Sequence, residues 1–253
     1  MAISAVNSNM TDYSKIASGK RINSAADDAS GLGIAQKLLR ESNGLDVGAS
    51  NIKDGIGVAN IVDGAQGSIQ NSLQRIRELS VQASNGLYTA SDKQSIQGEI
   101  DQLLQGIEST ALGTSYNGMK LMDGSMADMN IAANPDGTGM KIQLENSTLK
   151  SLGLEGYNVT GSFDIGAIDS AMEKINSSRS QNGAVTNGMS SAYNYNTRAS
   201  LELIGARSRI EDLDMAKAVS EQKKNKVLED YQIGMQKKKA DDNSQILKMF
   251  GSV

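Results

Sequence analysis

Two long stripes of apolar and small residues dominate the hydrophobic pattern of the chain. Between Leu45 and Ala83, such residues recur at steps of three and four, which is typical of one helix face and close to a coiled-coil seam. The first stripe consists of Leu45, Ala49, Ile52, Ile56, Ala59, Val62, Ala65, Ile69, Leu73, Ile76, Leu79 and Ala83. At about 1.5 Å per residue, the segment predicts a helix roughly 58 Å long, which needs an equally long partner.

The second stripe lies near the other end of the sequence and alternates between steps of three and four. It consists of Ile175, Ser178, Asn182, Val185, Met189, Ala192, Asn196, Ala199, Leu203, Ala206, Ile210 and Leu213. A strict seven-residue repeat of this kind predicts helices wound gently about each other. The three polar members, Ser178, Asn182 and Asn196, weaken the seam and are suited to fixing its register.

These stripes predict a mainly α fold, built as a long antiparallel helical bundle or coiled coil from the N- and C-terminal segments. One small β-hairpin region completes it. The two stripes should lie side by side, and we expect the vicinity of Ile69 to approach that of Ala192 or Leu203.

Gly, Asn and Asp punctuate the helical segments. Asn43-Gly44 predicts a break before the first stripe and Asn85-Gly86 predicts its end. After Leu213 the last helix is expected to continue, until Asp241–Ser244 interrupts it. For the helix starts, we expect Asn23 or Ser24 to be one N-cap, and Ser91 with Gln94 to form a capping box.

Between the stripes the periodicity changes to two. Apolar residues alternate with polar ones over 129–133 and 140–144, around the turn Asn134–Gly139. This pattern predicts one β-hairpin within residues 116–150. Residues 146–164 are rich in Gly, Asn and Ser and are expected to be irregular.

Composition excludes several classes of function. The chain has 253 residues, no Cys, no His, no Trp and a formal net charge of −4. Without His and Cys the usual zinc ligands and the commonest general base are missing, and no catalytic constellation is visible, so we expect no enzyme activity, no metal and no cofactor. The acidic balance argues against a nucleic-acid partner. No apolar run is long enough to insert into a membrane, and the first residues do not resemble a signal peptide.

Four motifs in register carry a family resemblance. The run LQRIRELSVQ at 73–82 resembles the signature of bacterial flagellins, and SGKRINSA at 18–25 resembles the N-terminal motif of that family. SYNGMKL at 115–121 and SRIED at 208–212 resemble its hairpin turn and its C-terminal motif. Nearly the whole chain follows this order and spacing. The sequence therefore resembles a short flagellin that lacks the variable surface domains.

The resemblance implies a subunit that polymerises into the extracellular flagellar filament for motility. It implies export through the flagellar secretion channel without a cleaved signal peptide. It also implies partners: other copies of the chain, an export chaperone, filament cap and junction proteins, and Toll-like receptor 5 of a host. The alternative is a hook–filament junction protein of the same superfamily.

The resemblance further implies two domains made from both chain ends. Residues 1–31 with 215–253 would form an inner core domain. Residues 32–214 would form an outer core domain, in which 146–164 is a minimal central region replacing the surface domains. One departure from the family is a cationic C-terminal segment, whose lysines we interpret as a solvated helix face rather than a site for anionic partners. They are Lys223, Lys224, Lys226, Lys237, Lys238 and Lys239.

The resemblance also implies contact residues. Arg75, Leu79, Gln82 and Glu99 match positions that contact the flagellin receptor in animals. The plainer interpretation, which we favour for their selected role, is packing between neighbouring subunits. The residues expected to take part in subunit packing are Ile76, Arg77, Glu78, Arg209, Ile210 and Phe250.

Overall fold

The computed structural model of the chain describes the backbone of residues 13–250 and the side chains of residues 13–246. Its helices are α1 (residues 13–18), α2 (Ala29–Ala83), α3 (Ala90–Gly113), α4 (Leu149–Leu152), α5 (Ile165–Glu211) and α6 (Met215–Phe250). Its strands are β1 (Ser115–Tyr116), β2 (Met119–Lys120), β3 (Asp128–Ala132) and β4 (Gly139–Gln143). The predicted mainly α fold with a small hairpin region is confirmed.

The chain divides into two compact units. Unit 1 combines Met1–Arg40 with Glu202–Val253, and unit 2 is Glu41–Leu201. Both long helices, α2 and α5, contribute residues to each unit. The domain boundaries expected from the sequence stay a prediction.

In unit 2, α2 and α5 run antiparallel. Gln66 donates to the Ser178 hydroxyl at 2.7 Å, and ion pairs join Asp63 to Arg179 at 2.9 Å and Arg77 to Asp169 at 2.7 Å. Residues that come later in α2 thus contact residues that come earlier in α5. The expectation that the vicinity of Ile69 approaches that of Ala192 or Leu203 was wrong. This register sets Ile69 opposite the region of Ile175, which lies about five turns before Ala192 and farther still from Leu203.

The predicted stripes form the seam of this pair. Every member of the first stripe is buried or half-buried, and Ile52, Val62, Leu73 and Ile76 are completely inaccessible. In the second stripe the apolar members and the three polar ones are likewise buried or half-buried. Burial of each large aliphatic side chain contributes about 1.5–3 kcal/mol, so the seam is the main source of stability in unit 2.

Two different elements cover the seam at different levels. Helix α3 packs beside the C-terminal part of α2 and contributes Ile96, Ile100 and Ile107 to the core. The β3–β4 hairpin packs against the earlier part of α2, where Asn51 donates to the carbonyl oxygen of Ala132 at 2.9 Å. The segment after the hairpin is anchored too, since Tyr157 donates to the Ser80 hydroxyl at 3.0 Å.

The predicted hairpin is formed by β3 and β4. Met129 pairs with Ile142 and Ile131 with Met140, so the alternating apolar residues share the inward face. A second, two-residue hairpin of β1 and β2 precedes it, turning at Asn117-Gly118, where both residues have positive φ. Asn and Gly are the residues that such a turn favours.

The predicted break at Asn43-Gly44 was wrong, because α2 continues through it. A Cβ at position 44 would lie 2.6 Å from the Cβ of Pro135, so this glycine allows the hairpin to approach the helix. Asn85-Gly86 was correctly predicted as the end of α2. Tertiary packing therefore outweighs the local preference of Gly at the first position.

Both predicted N-caps were misplaced. The carboxylate of Asp28 accepts from the Gly31 N–H at 2.8 Å and caps α2, whereas the N–H groups of Asn23 and Ser24 donate to Asp27. For α3 the reciprocal box is formed by Thr89 and Asp92, two residues before the predicted pair Ser91 and Gln94.

In unit 1, the extended segment after α1 pairs with the end of α5. The Arg21 N–H donates to the Glu211 carbonyl at 2.7 Å, and the Leu213 N–H donates to the Gly19 carbonyl at 2.9 Å. This pairing ends α5 at Glu211, so the expected continuous helix through Leu213 was wrong. Asp214 then caps α6 by accepting from the Lys217 N–H at 3.0 Å.

The interruption predicted at Asp241–Ser244 was also wrong, because α6 continues to Phe250. Asp and Asn have modest helix propensity, but each costs well below about 1 kcal/mol in a helix interior, which is too little to end a helix of this length.

Candidate assembly surfaces

The first candidate surface lies where α2 and α3 face each other, around Arg75. Its guanidinium pairs with Glu99 at 2.8 Å and with Glu78 at 3.3 Å. The Glu99 carboxylate, followed by Glu78, raises the pKa of Arg75, so the guanidinium stays charged. Because Arg75 and Glu99 are about half exposed, at 50% and 46%, solvent screens the pair and it adds little to stability. The cluster is therefore available for contacts with another molecule.

The residues expected around Arg75 divide by burial. Gln82 is exposed and donates to the Tyr88 hydroxyl at 2.9 Å. Leu79 and Ile76 are 3% and 0% exposed and belong to the core of the chain itself. The surface thus consists of polar side chains supported by a rigid apolar layer beneath them.

Of the other expected packing residues, Arg77 and Glu78 are exposed, and Arg77 is held by Asp169 of α5. Arg209 is exposed and Ile210 is half-buried in unit 1. The side chain of Phe250 lies outside the described residues.

The second candidate site is the junction of chain segments in unit 1, which the sequence did not foresee. The Glu211 carboxylate is nearly buried and pairs with Lys20 at 2.5 Å and with Arg207 at 3.4 Å. The Arg21 guanidinium donates to the Ile210 carbonyl at 2.6 Å. Lys20 and Arg21 belong to SGKRINSA and Glu211 belongs to SRIED, so the two motifs meet here. The opposite charges of Lys20 and Arg21 in one motif and of Glu211 in the other are the sequence feature that could have predicted this contact.

The same junction contains a strongly acidic carboxyl group. Hydrogen bonds from the Ser24 N–H, and next from Lys15, lower the pKa of Asp27 to about 2. Lys15 of α1 lies 3.2 Å from Asp27, so this carboxylate connects α1 to the start of α2.

The third candidate site is the hairpin seat, formed by Gly48 and Asn51 of α2 and by Asn196 of α5. Asn196 is 2% exposed and donates to the carbonyl oxygen of Ala133 at 2.7 Å. A Cβ at position 48 would lie 2.0 Å from that same oxygen. The sequence predicted Asn196 as a register residue but missed Gly48, although glycines at 44, 48 and 55 lie near one face of the helix.

A buried polar layer lies farther along the same helix pair. Gln66, Ser178 and Asn182 are 0%, 3% and 2% exposed. Among the described residues, Gln66 Oε1 and Asn182 Nδ2 have no hydrogen-bond partner. Such a layer lowers stability and favours a single register of two helices.

Helix α6 presents apolar side chains that nothing in the described part of the chain covers. Val227, Leu228, Tyr231 and Met235 are 66%, 48%, 66% and 41% exposed. Apolar residues grouped on an exposed helix are typical of a protein–protein interface.

Residues 13–250 offer neither a metal site nor a membrane-spanning helix. No group of acidic residues there is arranged to hold a metal ion. None of the helices in this range combines the length and apolar character needed to cross a bilayer.

Comparison with known proteins gives consistent matches. The family model for the bacterial flagellin N-terminal helical region matches residues 2–127, and that for the bacterial flagellin C-terminal helical region matches residues 165–248. Phase 1 flagellin of Salmonella naestved is 41% identical over 164 residues, or 64% of this chain and 32% of the relative. The alignment thus spans about a third of the length of that curated relative.

Two solved structures are similar. Bacillus cereus flagellin shares 29% identity with a TM-score of 0.52, covering 58% of this chain and 88% of that one. A putative flagellar hook-associated protein from Vibrio parahaemolyticus has a TM-score of 0.60 at 17% identity, covering 74% of this chain and all of that one, which shows a shared fold. Since the two flagellin models together match most of the sequence, from the N-terminal helices to α6, this chain belongs to the bacterial flagellin family.

Proposed function

We propose that the chain is a structural subunit of the bacterial flagellar filament and polymerises with itself. The observation that carries the proposal is the presence of both flagellin helical regions in one chain, with the α2 and α5 seam residues paired in unit 2. A subunit of this kind joins its neighbours through unlike surfaces, and contacts that do not close into a ring generate a helical filament.

The uncovered residues of α6 support this proposal. Leu228, Tyr231 and Met235 expose apolar surface in the single chain, and each would be stabilised by leaving water. In a polymer, neighbouring copies of the chain would cover these apolar side chains. We accordingly propose that residues 1–31 with 215–253 act as an inner core domain and 32–214 as an outer core domain.

The remaining partners follow from the same role. A filament subunit works outside the cell and leaves through the flagellar channel without a cleaved signal peptide. Its proposed partners are an export chaperone, the filament cap and junction proteins. Its role is structural, with no enzymatic step and no cofactor.

The Arg75 surface is proposed as a contact between subunits and, secondarily, as a site for Toll-like receptor 5. Arg75, Gln82 and Glu99 are the accessible members, whereas Leu79 would support them from below. The charges are pre-organised, because the Arg75–Glu99 pair holds both side chains in one orientation. Because neighbouring subunits would cover the same surface in a filament, a receptor that recognises it would bind free subunits better than assembled ones.

A second candidate function is a hook–filament junction protein, favoured by the similarity of fold to the hook-associated protein. The two candidates differ in whether the protein elongates. Electron microscopy of the purified chain under polymerising conditions should show long fibres for a filament subunit. Particles that remain short in the presence of preformed filament seeds would favour the junction protein.

A further inference from the structure

The tetrapeptide Ser-Asn-Gly-Leu occurs twice in the chain, at residues 42–45 and at residues 84–87. In an asparagine–glycine pair the asparagine side chain can react with the following backbone nitrogen, because glycine has no side chain to shield that nitrogen. The first copy lies inside α2, whereas the second lies in the turn between α2 and α3. Since the two copies have the same local sequence, a difference in their chemistry has to come from the fold.

The backbone nitrogen of Gly86 is accessible in the second copy. Asn85 and Gly86 are exposed, and the Gly86 N–H has no hydrogen-bond partner among the residues that the structure describes. The N–H of Gly44, by contrast, lies in the interior of α2 and belongs to its hydrogen-bond ladder. A bonded N–H gives up its proton less readily, and the helical backbone holds it away from the preceding side chain. The fold therefore protects the first copy and leaves the second open to reaction.

The side-chain carbonyl of Asn85 is held in a fixed orientation. The Leu87 N–H donates to Oδ1 of Asn85 at 3.0 Å, which turns this carbonyl forward over Gly86. The bond brings the carbonyl carbon Cγ towards the Gly86 nitrogen, as an intramolecular attack requires. A donor at Oδ1 also stabilises the negative charge that develops on this oxygen during the attack. The turn thus orients the carbonyl for the attack and stabilises the charge that forms on it.

Two other asparagines have a similar turn but are blocked at the next nitrogen. Asn146 and Asn158 each accept at Oδ1 from the N–H two residues later, at 3.0 Å and 2.7 Å. The Ser147 N–H donates to a backbone carbonyl at 2.9 Å, and the Val159 N–H donates to a buried glutamine side chain at 2.7 Å. Of these three asparagines, only Asn85 is followed by an N–H that no described residue engages.

We propose that Asn85 is a site of spontaneous deamidation in the folded chain. The Gly86 nitrogen loses its proton and attacks Cγ of Asn85, the bond from Cγ to the side-chain nitrogen breaks, and ammonia leaves with that proton. The cyclic imide that results takes up one water molecule, which opens it at either of its two carbonyl groups. The products are aspartate and isoaspartate, and the reaction consumes only water.

Both products change the edge of the Arg75 surface. Each adds one negative charge to a chain whose formal net charge is −4. Isoaspartate also lengthens the backbone by one methylene group, within a turn where the Tyr88 N–H donates to the Asn85 carbonyl at 3.3 Å. The Tyr88 hydroxyl accepts from Gln82, so a longer turn displaces this contact. An aged chain therefore differs from a newly made one at this surface.

Peptide mapping by mass spectrometry of the full-length folded monomer, incubated at neutral pH, tests the proposal. Digestion at acidic pH, where the reaction is slow, prevents further loss of ammonia during handling. Asn85 should deamidate about a hundredfold faster than Asn43 or more, since placement of the reacting atoms contributes a factor of this order. Its rate should rise with pH, because the attacking nitrogen has to be deprotonated. In urea, where both copies are unfolded, the two rates should become similar.

Two variants separate the chemistry of the turn from its folding. Gly86→Ala adds a Cβ that meets no atom within 4 Å at a residue without positive φ, so the turn is kept while the nitrogen is shielded. The rate at Asn85 should then fall about tenfold or more. Gly106→Ala is the matched control, because its Cβ also meets no atom within 4 Å, and it should leave that rate unchanged. Circular dichroism verifies that the helix content of both variants equals that of the wild type.

Three results would overturn the proposal. The first is an equal rate at Asn85 and Asn43 in the folded chain, and the second is a Gly86→Ala variant that reacts as fast as the wild type. The third is a rate ratio that stays the same in urea, which would mean that the wider sequence and not the fold selects Asn85. Faster reaction at Asn117, in the exposed turn between β1 and β2, would show that the Leu87 N–H does not direct the reaction. The test uses the monomer, so its outcome is independent of the filament function.

Discussion

Replacement of Gly48 by alanine should unseat the β3–β4 hairpin from α2. The added Cβ would lie 2.0 Å from the carbonyl oxygen of Ala133 and 2.8 Å from its carbonyl carbon. Ordinary contact between such atoms begins above about 3 Å, so the hairpin must retreat by roughly 1 Å. The helix backbone cannot yield instead, because α2 is continuous on both sides of this residue.

The expected loss of unfolding free energy follows from the contacts that this movement of the hairpin would break. The Ala133 oxygen accepts the buried amide of Asn196 at 2.7 Å, and loss of that bond leaves a polar group unsatisfied at about 1–3 kcal/mol. Strain from overpacking adds about 1–3 kcal/mol. Alanine gains about 1 kcal/mol over glycine in a helix, so the net loss should be about 1–5 kcal/mol.

Urea unfolding of full-length variants, followed by circular dichroism, measures this loss. Gly64→Ala is the matched control, since a Cβ at Gly64 meets no atom within 4 Å in the same helix. It should stabilise the chain by up to about 1 kcal/mol. Equal stability of the two variants would refute the close seat of the hairpin.

Three further predictions concern polar groups. The pKa of Asp27 is lowered to about 2 from its ordinary 3.8, so its stabilising effect is complete above pH 3.8 and is lost as the pH falls towards 2. The difference in unfolding free energy between wild type and Asp27→Asn should therefore disappear over that interval of an acid titration. A difference that stays constant would contradict this prediction. Gln66→Leu with Ser178→Ala should stabilise the monomer by about 1–2 kcal/mol in urea unfolding, since it removes a buried unsatisfied oxygen; destabilisation would mean that this oxygen has a partner, such as a buried water. A double-mutant cycle on Arg75 and Glu99 should give a weak coupling that disappears at high salt, and a strong coupling that persists in salt would show that the pair is far less hydrated than its exposure indicates.

The two stripes could be predicted from the sequence because their spacing is a local property of each helix. The steps of three and four residues in the first stripe predicted that Leu73 and Ile76 lie on its apolar face, and both are fully buried. The alternation around 129–144 predicted the β-hairpin for the same reason. Regular periodicity thus determines both the element and its inward face.

Three of the errors arose where a distant residue decides the outcome. In the sequence Gly44 indicates the end of a helix, but in the structure its missing side chain leaves room for Pro135, which is far away in sequence. The end of α5 is set by pairing with Gly19–Ile22, and Lys20 meets Glu211 across 191 residues. The register of α2 against α5 depends on pairs such as Gln66 with Ser178, which a repeating pattern alone allows at several offsets.

The segment between the hairpin and α5 has a practical consequence for carrying foreign peptides. Leu152, Leu154 and Val159 of this segment are buried, whereas Thr160–Ser162 is exposed. An epitope grafted within 152–159 would remove side chains from the core, but one inserted at 160–162 leaves every one of them in place. This segment therefore offers a short, solvent-facing position at which a foreign peptide can be displayed without removing core side chains.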